Sequence, residues 1–160
     1  MPHLEFVSLL QAPQQKVWDL HASLRVLELL TPPETKITLP EPKPTLELGV
    51  RFIIVVRQPP VFVPLAWESV FTVWEPPLRF VDEQGLRGPW KSWRHEHRFE
   101  KVDEHTTRLI DSIDYEPPMG PLGRIADALF LRRTIEKSFA YRHAKTKDLL
   151  LAPIDAKTDA

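Results

Sequence analysis

The sequence predicts an α+β domain in which a curved antiparallel sheet wraps around one long C-terminal helix. Strand-like runs follow one another at short intervals between residues 48 and 116. Two short helical stretches come after the first strand. Residues 122–150 contain no proline and a single glycine, and their apolar side chains recur near helical spacing. Strands followed by one closing helix are the order expected of an α+β architecture.

Length and composition limit the class of protein. The 160 residues predict one domain over residues 1–152, followed by a flexible tail at 153–160. The net charge of −1 gives no overall field that would attract nucleic acid. The absence of cysteine excludes disulfide and thiol chemistry. No signal peptide or membrane-spanning apolar run is visible, so we expect a cytoplasmic protein.

The first half of the chain alternates strands, helices and proline-rich loops. Residues 4–10 form an apolar strand, and Pro13 opens two short helices that break near Ser23. A short strand at 37–39 and a longer one at 48–57 follow, separated by a loop that contains three prolines.

The second half contains the remaining strands and the long helix. Strands are predicted at 65–74 and 78–83, and a hairpin joins 93–102 to 106–116. A helix from residue 122 to about residue 150 closes the domain and spans about 40 Å at 1.5 Å per residue.

Residues 93–100 alternate strictly between two kinds of side chain. A period of two is typical of a strand with one solvated and one covered face. The even positions are charged and predict the solvated face: Arg94, Glu96, Arg98 and Glu100. The odd positions predict the covered face: Trp93, His95, His97 and Phe99. Two imidazoles between large aromatic rings indicate a lined cavity or a site rather than a purely apolar core.

The hairpin loop predicts which residues lie opposite these imidazoles. A loop centred on Glu104 places His97 opposite Asp111, with Cβ atoms of such neighbours about 5 Å apart. His95 is then diagonal to Asp111, and Asp82 points inward from the preceding strand. A register slip of one residue would dissolve this polar cluster. We therefore expect His97 and Asp111 to be hydrogen-bonded on the inner face, where the pair would orient a polar group of a ligand.

The order of elements and several local segments carry a family resemblance. The segments are residues 80–82, 88–90, 93–99, 111–115, 118–123 and 139–142. Together they resemble the SRPBCC superfamily of START-like and birch-pollen-allergen-like helix-grip proteins, and more closely its bacterial polyketide cyclase/dehydrase-like group. The resemblance implies a hydrophobic cavity between sheet and helix. It leaves the ligand open, because one fold serves many functions.

The alternation within each strand predicts the walls of this cavity. We expect the strands to contribute most of the lining, with the helix closing the other side. We expect no cofactor and no metal. The predicted ligand-binding residues are Phe52, Ile54, Phe80, Asp82, Trp93, His95, His97, Phe99, Asp111, Ile113, Tyr115, Ile125, Leu129 and Phe139.

Four interpretations of the polar cluster stay open from the sequence. Buried carboxylate–imidazole pairs can simply satisfy each other, or they can orient a ligand in a mostly apolar pocket. His95 or His97 with Asp111 could instead act as a general base in a cyclase or dehydratase reaction. The same three residues could hold a metal, although their spacing is a weak signal. No nucleophile-elbow or glycine-rich phosphate-loop motif is present.

The favoured function is binding of a small hydrophobic or amphipathic molecule, either a lipid or an aromatic, polyketide-like compound. An interaction module without a ligand is a further alternative, and the oligomeric state is open. The C-terminal helix, over residues 122–152, carries seven basic and three acidic side chains. This excess suits a solvated face, or peripheral contact with an anionic membrane. The stiff apolar loop at residues 59–64 is expected to pack on its own domain.

Overall fold

A computed structural model of the chain describes residues 1–59 and 63–151. The predicted tail at 153–160 and the centre of the apolar loop, at 60–62, lie outside the described residues. Seven antiparallel strands form one sheet, in the order β1-β7-β6-β5-β4-β3-β2. The strands are β1 His3–Leu10, β2 Lys36–Thr38, β3 Arg51–Arg57, β4 Leu65–Glu75, β5 Arg79–Gln84, β6 Ser92–Lys101 and β7 Thr107–Glu116.

The helices lie where the sequence predicts them. The two short helices are α1, Gln14–His21, and α2, Arg25–Leu30. The C-terminal helix consists of α3, Gly120–Ala126, a π-helical segment, Asp127–Leu131, and α4, Arg132–Leu151. No helix in the described ranges is both long and apolar enough to cross a membrane.

The β6–β7 hairpin has the predicted register. His97 lies opposite Asp111 and Trp93 lies opposite Tyr115. The odd positions of β6 from 93 to 99 are all buried, whereas the even positions from 94 to 98 are partly exposed and residue 100 is exposed. The alternation of side-chain chemistry therefore fixes which face of this strand covers the interior.

The C-terminal helix turns a different face to the sheet from the predicted one. We expected Ile125 and Leu129 to face the cavity, but they are 59% and 70% exposed. The inward-facing residues repeat every four positions instead, at Asp127, Ile135 and His143 among others. A regular α-helix has 3.6 residues per turn, so a four-residue repeat drifts around its surface, and a wider π turn offsets part of that drift.

A buried hydrogen bond fixes the phase of the helix at this turn. The Tyr115 hydroxyl on β7 donates to Asp127 Oδ1 at 2.8 Å, and Asp127 is itself buried. A polar residue therefore occupies the inner face where an apolar stripe predicts Ile125 or Leu129.

Two clusters of apolar side chains form the interior. One joins α1 to the centre of the sheet, where Trp18 makes edge contacts with Trp74, Phe80 and Phe99 at centroid distances of 5.0, 5.7 and 5.5 Å. The other joins β1, β6 and β7 to α4 through Ile135 and Phe139. The concave face of the sheet and α4 enclose a hollow between these clusters.

Candidate functional site

A pocket of about 380 Å³ lies between the concave face of the sheet and helices α2 and α4. Aromatic and aliphatic side chains make up most of its wall, including Trp67 and Trp90 on the sheet side and Ile135 on the helix side. Among the described lining residues, Asp82 is the one acidic residue, and Arg142 is the one basic residue other than histidine. The pocket thus combines a broad apolar surface with a small charged region.

The predicted site residues fall into three groups. Eight line the pocket: Phe52, Ile54, Phe80, Asp82, Trp93, His95, His97 and Phe139. Four are buried behind the lining rather than on it: Phe99, Asp111, Ile113 and Tyr115. The last two, Ile125 and Leu129, lie on the exposed side of the C-terminal helix.

Asp111 is the centre of a buried polar group that we call the Asp111 cluster, comprising Asp82, His95, His97, Asp111 and His143. His95 Nε2 donates to Asp111 Oδ1 at 3.0 Å, and His143 Nε2 donates to Asp111 Oδ2 at 2.7 Å. Because His143 Nε2 carries the donated proton, its Nδ1 accepts from the Ser8 hydroxyl at 2.8 Å. These bonds connect β1, β6, β7 and α4 through one carboxylate.

The position of His97 corrects one expectation. Its Nδ1 lies 2.7 Å from Asp111 Oδ1, as the register requires, but outside the angular range of a hydrogen bond. The His97 ring instead packs against His95 and Phe80, with centroid distances of 3.8 and 4.2 Å. The hydrogen-bonding partners of Asp111 are therefore His95 and His143, and His97 is a close electrostatic neighbour.

Asp82 connects the Asp111 cluster to the pocket. Its Oδ1 lies 3.5 Å from His95 Nδ1 and 3.6 Å from His97 Nε2. Both separations are longer than a normal hydrogen bond. At the pocket wall, a small gap therefore separates the Asp82 carboxylate from His95 Nδ1 and His97 Nε2.

Charges within the Asp111 cluster shift the pKa values of its members. Burial opposes ionisation of His97, but the carboxylates of Asp111 and Asp82 outweigh burial and raise the pKa of His97. Burial and the neighbouring His97 lower the pKa of His95. Burial also opposes ionisation of Asp111, yet His97 and the imidazole hydrogen bonds hold the pKa of Asp111 well below its usual range. The cluster thus favours ionised carboxylates and shifts the pKa values of its two neighbouring imidazoles in opposite directions.

Two histidines of the site escape prediction from sequence. His21 on α1 lines the pocket and donates from Nδ1 to the Val17 carbonyl at 2.9 Å. Burial and the nearby His97 lower the pKa of His21 to about 4. His143 lies in a polar part of α4, and its only sequence signal is the four-residue repeat after Ile135 and Phe139.

Comparison with solved structures identifies the fold. The Zhui aromatase/cyclase of Streptomyces sp. R1128 aligns with a TM-score of 0.74 and 17% identity over 99% of each chain. The protein TTHA0849 of Thermus thermophilus aligns with a TM-score of 0.73 and 15% identity over 96% of this chain and 100% of that one. A norcoclaurine synthase of Thalictrum flavum aligns with a TM-score of 0.68 and 11% identity over 94% of each chain. The protein has a helix-grip fold.

At the level of sequence, neither a protein-family profile nor a curated protein matches the chain. The similarity to the solved structures therefore describes how this helix-grip protein folds. What its site can do chemically follows from the geometry of the residues themselves.

The site of this helix-grip protein can do two things with a bound molecule. Asp82, Arg142 and His97 can hydrogen-bond or pair with a polar group, because all three reach the pocket wall. The Asp111 cluster can also exchange a proton, because it contains imidazoles whose pKa values shift in opposite directions. Binding needs only the first property, whereas catalysis needs both.

Proposed function

We propose that this protein binds a small amphipathic molecule in the pocket, with an aromatic or aliphatic body and one polar group. The main support for this proposal is a hollow of about 380 Å³ with mostly apolar walls and a charged region at Asp82 and Arg142. Pockets of roughly 300–1,000 Å³ with a few placed polar groups are the usual form of small-molecule sites. The helix-grip fold of ligand-binding and cyclase-type proteins supports the same function.

The walls favour a flat molecule over a flexible chain. Trp67 and Trp93 meet edge to face at a centroid distance of 5.2 Å, and Trp90 stacks on Trp93 at 5.3 Å. Phe139 on α4 also lines the pocket, where its ring stacks on Phe6 and the Arg142 guanidinium lies 5.1 Å above it. Indole and phenyl faces offer large contact areas to planar rings. A fused aromatic or polyketide-like ligand is therefore the first class to test.

Two variants on α4 test whether binding occurs in the pocket. Ser138 lines the pocket, whereas Ala140, two positions later, is exposed. A Ser138→Trp change fills the hollow, and an Ala140→Trp change adds the same side chain to the surface. The probe is 1-anilinonaphthalene-8-sulfonate, whose fluorescence rises in apolar surroundings.

The expected result is binding of one probe molecule to the unchanged protein. Ser138→Trp should weaken the affinity at least about tenfold, which corresponds to roughly 1.4 kcal/mol, and Ala140→Trp should leave it unchanged. Equal affinities for both variants would place the probe outside the pocket and contradict the proposal. Native mass spectrometry of gently purified protein would then identify any co-purified molecule by its mass.

A second candidate function is acid–base catalysis on the bound molecule. The specific observation is that His97 lies 2.7 Å from one carboxylate oxygen and 3.6 Å from another, at the pocket surface. One solved structure of the same fold is an aromatase/cyclase, so a compound that can cyclise is the first substrate class to test. A His97→Gln variant separates the candidates. Loss of turnover with unchanged affinity supports catalysis, whereas loss of affinity alone supports binding.

A further inference from the structure

We propose that Asp82, His95 and His97 form a three-ligand site for a divalent transition-metal ion such as Zn²⁺, open on its fourth side to the pocket. The ligand atoms are Asp82 Oδ1, His95 Nδ1 and His97 Nε2. These atoms all lie within 4.8 Å of one another. The proposal does not depend on any organic ligand, because it concerns the metal alone.

The two distances from Asp82 to the imidazole nitrogens suit an ion of this size. Asp82 Oδ1 lies 3.5 Å from His95 Nδ1 and 3.6 Å from His97 Nε2. Tetrahedral zinc bonded to nitrogen and oxygen at about 2.0–2.1 Å has edges of about 3.3–3.4 Å between its ligands. The two edges of this site therefore need to contract by only a few tenths of an ångström. They are too long for direct hydrogen bonds.

The hydrogen bond from His95 to Asp111 leaves the other ring nitrogen of His95 as an acceptor beside the Asp82 carboxylate, which is also an acceptor. His95 Nε2 donates to Asp111 Oδ1 at 3.0 Å, so in the neutral ring Nδ1 carries a lone pair instead of a proton. That lone pair points toward the Asp82 carboxylate, which also only accepts. Two acceptors at 3.5 Å repel each other unless a cation lies between them. A metal ion satisfies both atoms at once.

Asp111 occupies the position of an outer partner for both imidazoles. The outer nitrogens of His95 and His97 lie 3.0 and 2.7 Å from Asp111 Oδ1. Metal-binding histidines commonly turn their second nitrogen to a carboxylate, which orients the ring and makes the bound nitrogen more basic. His143 in turn donates to Asp111 Oδ2 at 2.7 Å, and its other ring nitrogen bonds to the Ser8 hydroxyl at 2.8 Å.

The location leaves room for a further ligand. Asp82, His95 and His97 all line the pocket, so an ion among them has protein on one side and the hollow on the other. Three protein ligands with an open position are the arrangement of catalytic rather than structural zinc sites. An oxygen atom of water or of a pocket ligand would complete the coordination.

Metal binding to the chelator-treated protein tests the proposal. Zn²⁺ is titrated against a chromophoric chelator, and Co²⁺ is added separately because its visible spectrum reports four-coordinate geometry. We expect one equivalent of Zn²⁺ to bind. Asp82→Asn should weaken that affinity more than about 100-fold, since even outer-partner changes cost 10–100-fold. His97→Gln should have a similar effect.

The matched control is His3→Gln. His3 and Asp114 form an exposed pair 2.8 Å apart that could bind zinc adventitiously. We expect this change to leave the tight equivalent intact. Absence of tight binding by the unchanged protein would overturn the proposal, whatever the variants do. Equal affinity of the unchanged protein and the Asp82→Asn variant, with both folded by circular dichroism, would overturn it too. Binding of 1-anilinonaphthalene-8-sulfonate in the presence of chelator tests the proposed binding of an organic molecule separately.

Discussion

The Asp111 cluster and the apolar wall of the pocket hold their side chains by different means. In the cluster, one carboxylate has three imidazoles within 3.0 Å and directs them by charge and hydrogen bonding. Along the wall, His21 and Ile135 are held mainly by packing, and His21 has only the Val17 carbonyl as its hydrogen-bonding partner among the described residues. Both regions are buried, so burial alone does not explain their chemistry.

The contrast is clearest between His97 and His21. Their ring centroids are 6.1 Å apart, yet the pKa of His97 is raised and the pKa of His21 is lowered to about 4. Two carboxylates, at 2.7 and 3.6 Å from His97, account for the difference, because they favour its charged form over the cost of burial. Nearby carboxylates therefore separate His97 from His21, whereas His95, at similar distances from the same carboxylates, has a lowered pKa because of burial and the neighbouring His97.

Removal of the central carboxylate should have the largest effect on stability. Asp111→Ala leaves three buried imidazoles without their shared partner, and loss of one member of a buried ionic pair costs about 3–5 kcal/mol. We expect the free energy of unfolding in urea to fall by this amount. Asp114→Ala, on the partly exposed face of the same strand, is the control and should cost less than about 1 kcal/mol. Equal costs for the two variants would show that the cluster does not stabilise the fold.

The pH dependence of stability should show that His21, unlike His97, has a lowered pKa in the folded state. Its pKa is about 4 in the folded state, against about 6.5 in the unfolded chain. Between these values the unfolded state binds more protons, so the free energy of unfolding falls as the pH drops from about 6.5 toward 4. The loss should reach at most about 3 kcal/mol at 1.36 kcal/mol per pH unit.

A His21→Gln variant isolates this contribution. In chelator-treated protein, urea unfolding curves at several pH values should show a smaller loss for the variant than for the unchanged protein. His105→Gln, which removes an exposed imidazole, should reproduce the unchanged pH profile. A profile for His21→Gln that parallels the unchanged protein would mean that His21 is not held neutral by burial.

A matched pair of isoleucines on the C-terminal helix sharpens the description of the wall. Ile135 is buried beside Phe139, whereas Ile125 is 59% exposed. Ile135→Val should lower the free energy of unfolding by about 0.5–1.5 kcal/mol, because it removes a buried methyl group. Ile125→Val should change it by less than about 0.5 kcal/mol. The reverse order in thermal or urea unfolding would support the helix face predicted from sequence.

The fold and the hairpin are the parts that the sequence predicts well. Charged and aromatic side chains alternate on β6, and the short loop around Glu104 leaves one register that buries the aromatic face. This register places His97 opposite Asp111 without any knowledge of the rest of the chain. Short-range patterns suffice here because neighbouring strands in a hairpin are also neighbours in sequence.

The helix face and the hydrogen bonds of Asp111 depend on long-range contacts that no local pattern contains. Asp127 turns inward because Tyr115 on a different element donates to it. His143 reaches Asp111 from α4, and a polar stretch of helix gives no apolar signal of an inward-facing residue. Prediction therefore fails where a buried polar group replaces an apolar one and its partner is distant in sequence.

The hydrogen bond between Ser8 and His143 has a consequence for biosynthesis. The two residues are 135 positions apart in sequence. At about 5–20 residues per second, the ribosome adds the later residue on the order of ten seconds after the earlier one. Late in that interval the strands are complete but the inner side of the sheet has no helix to cover it. The nascent chain thus exposes its aromatic surface for seconds, and apolar surface exposed during synthesis is prone to aggregation.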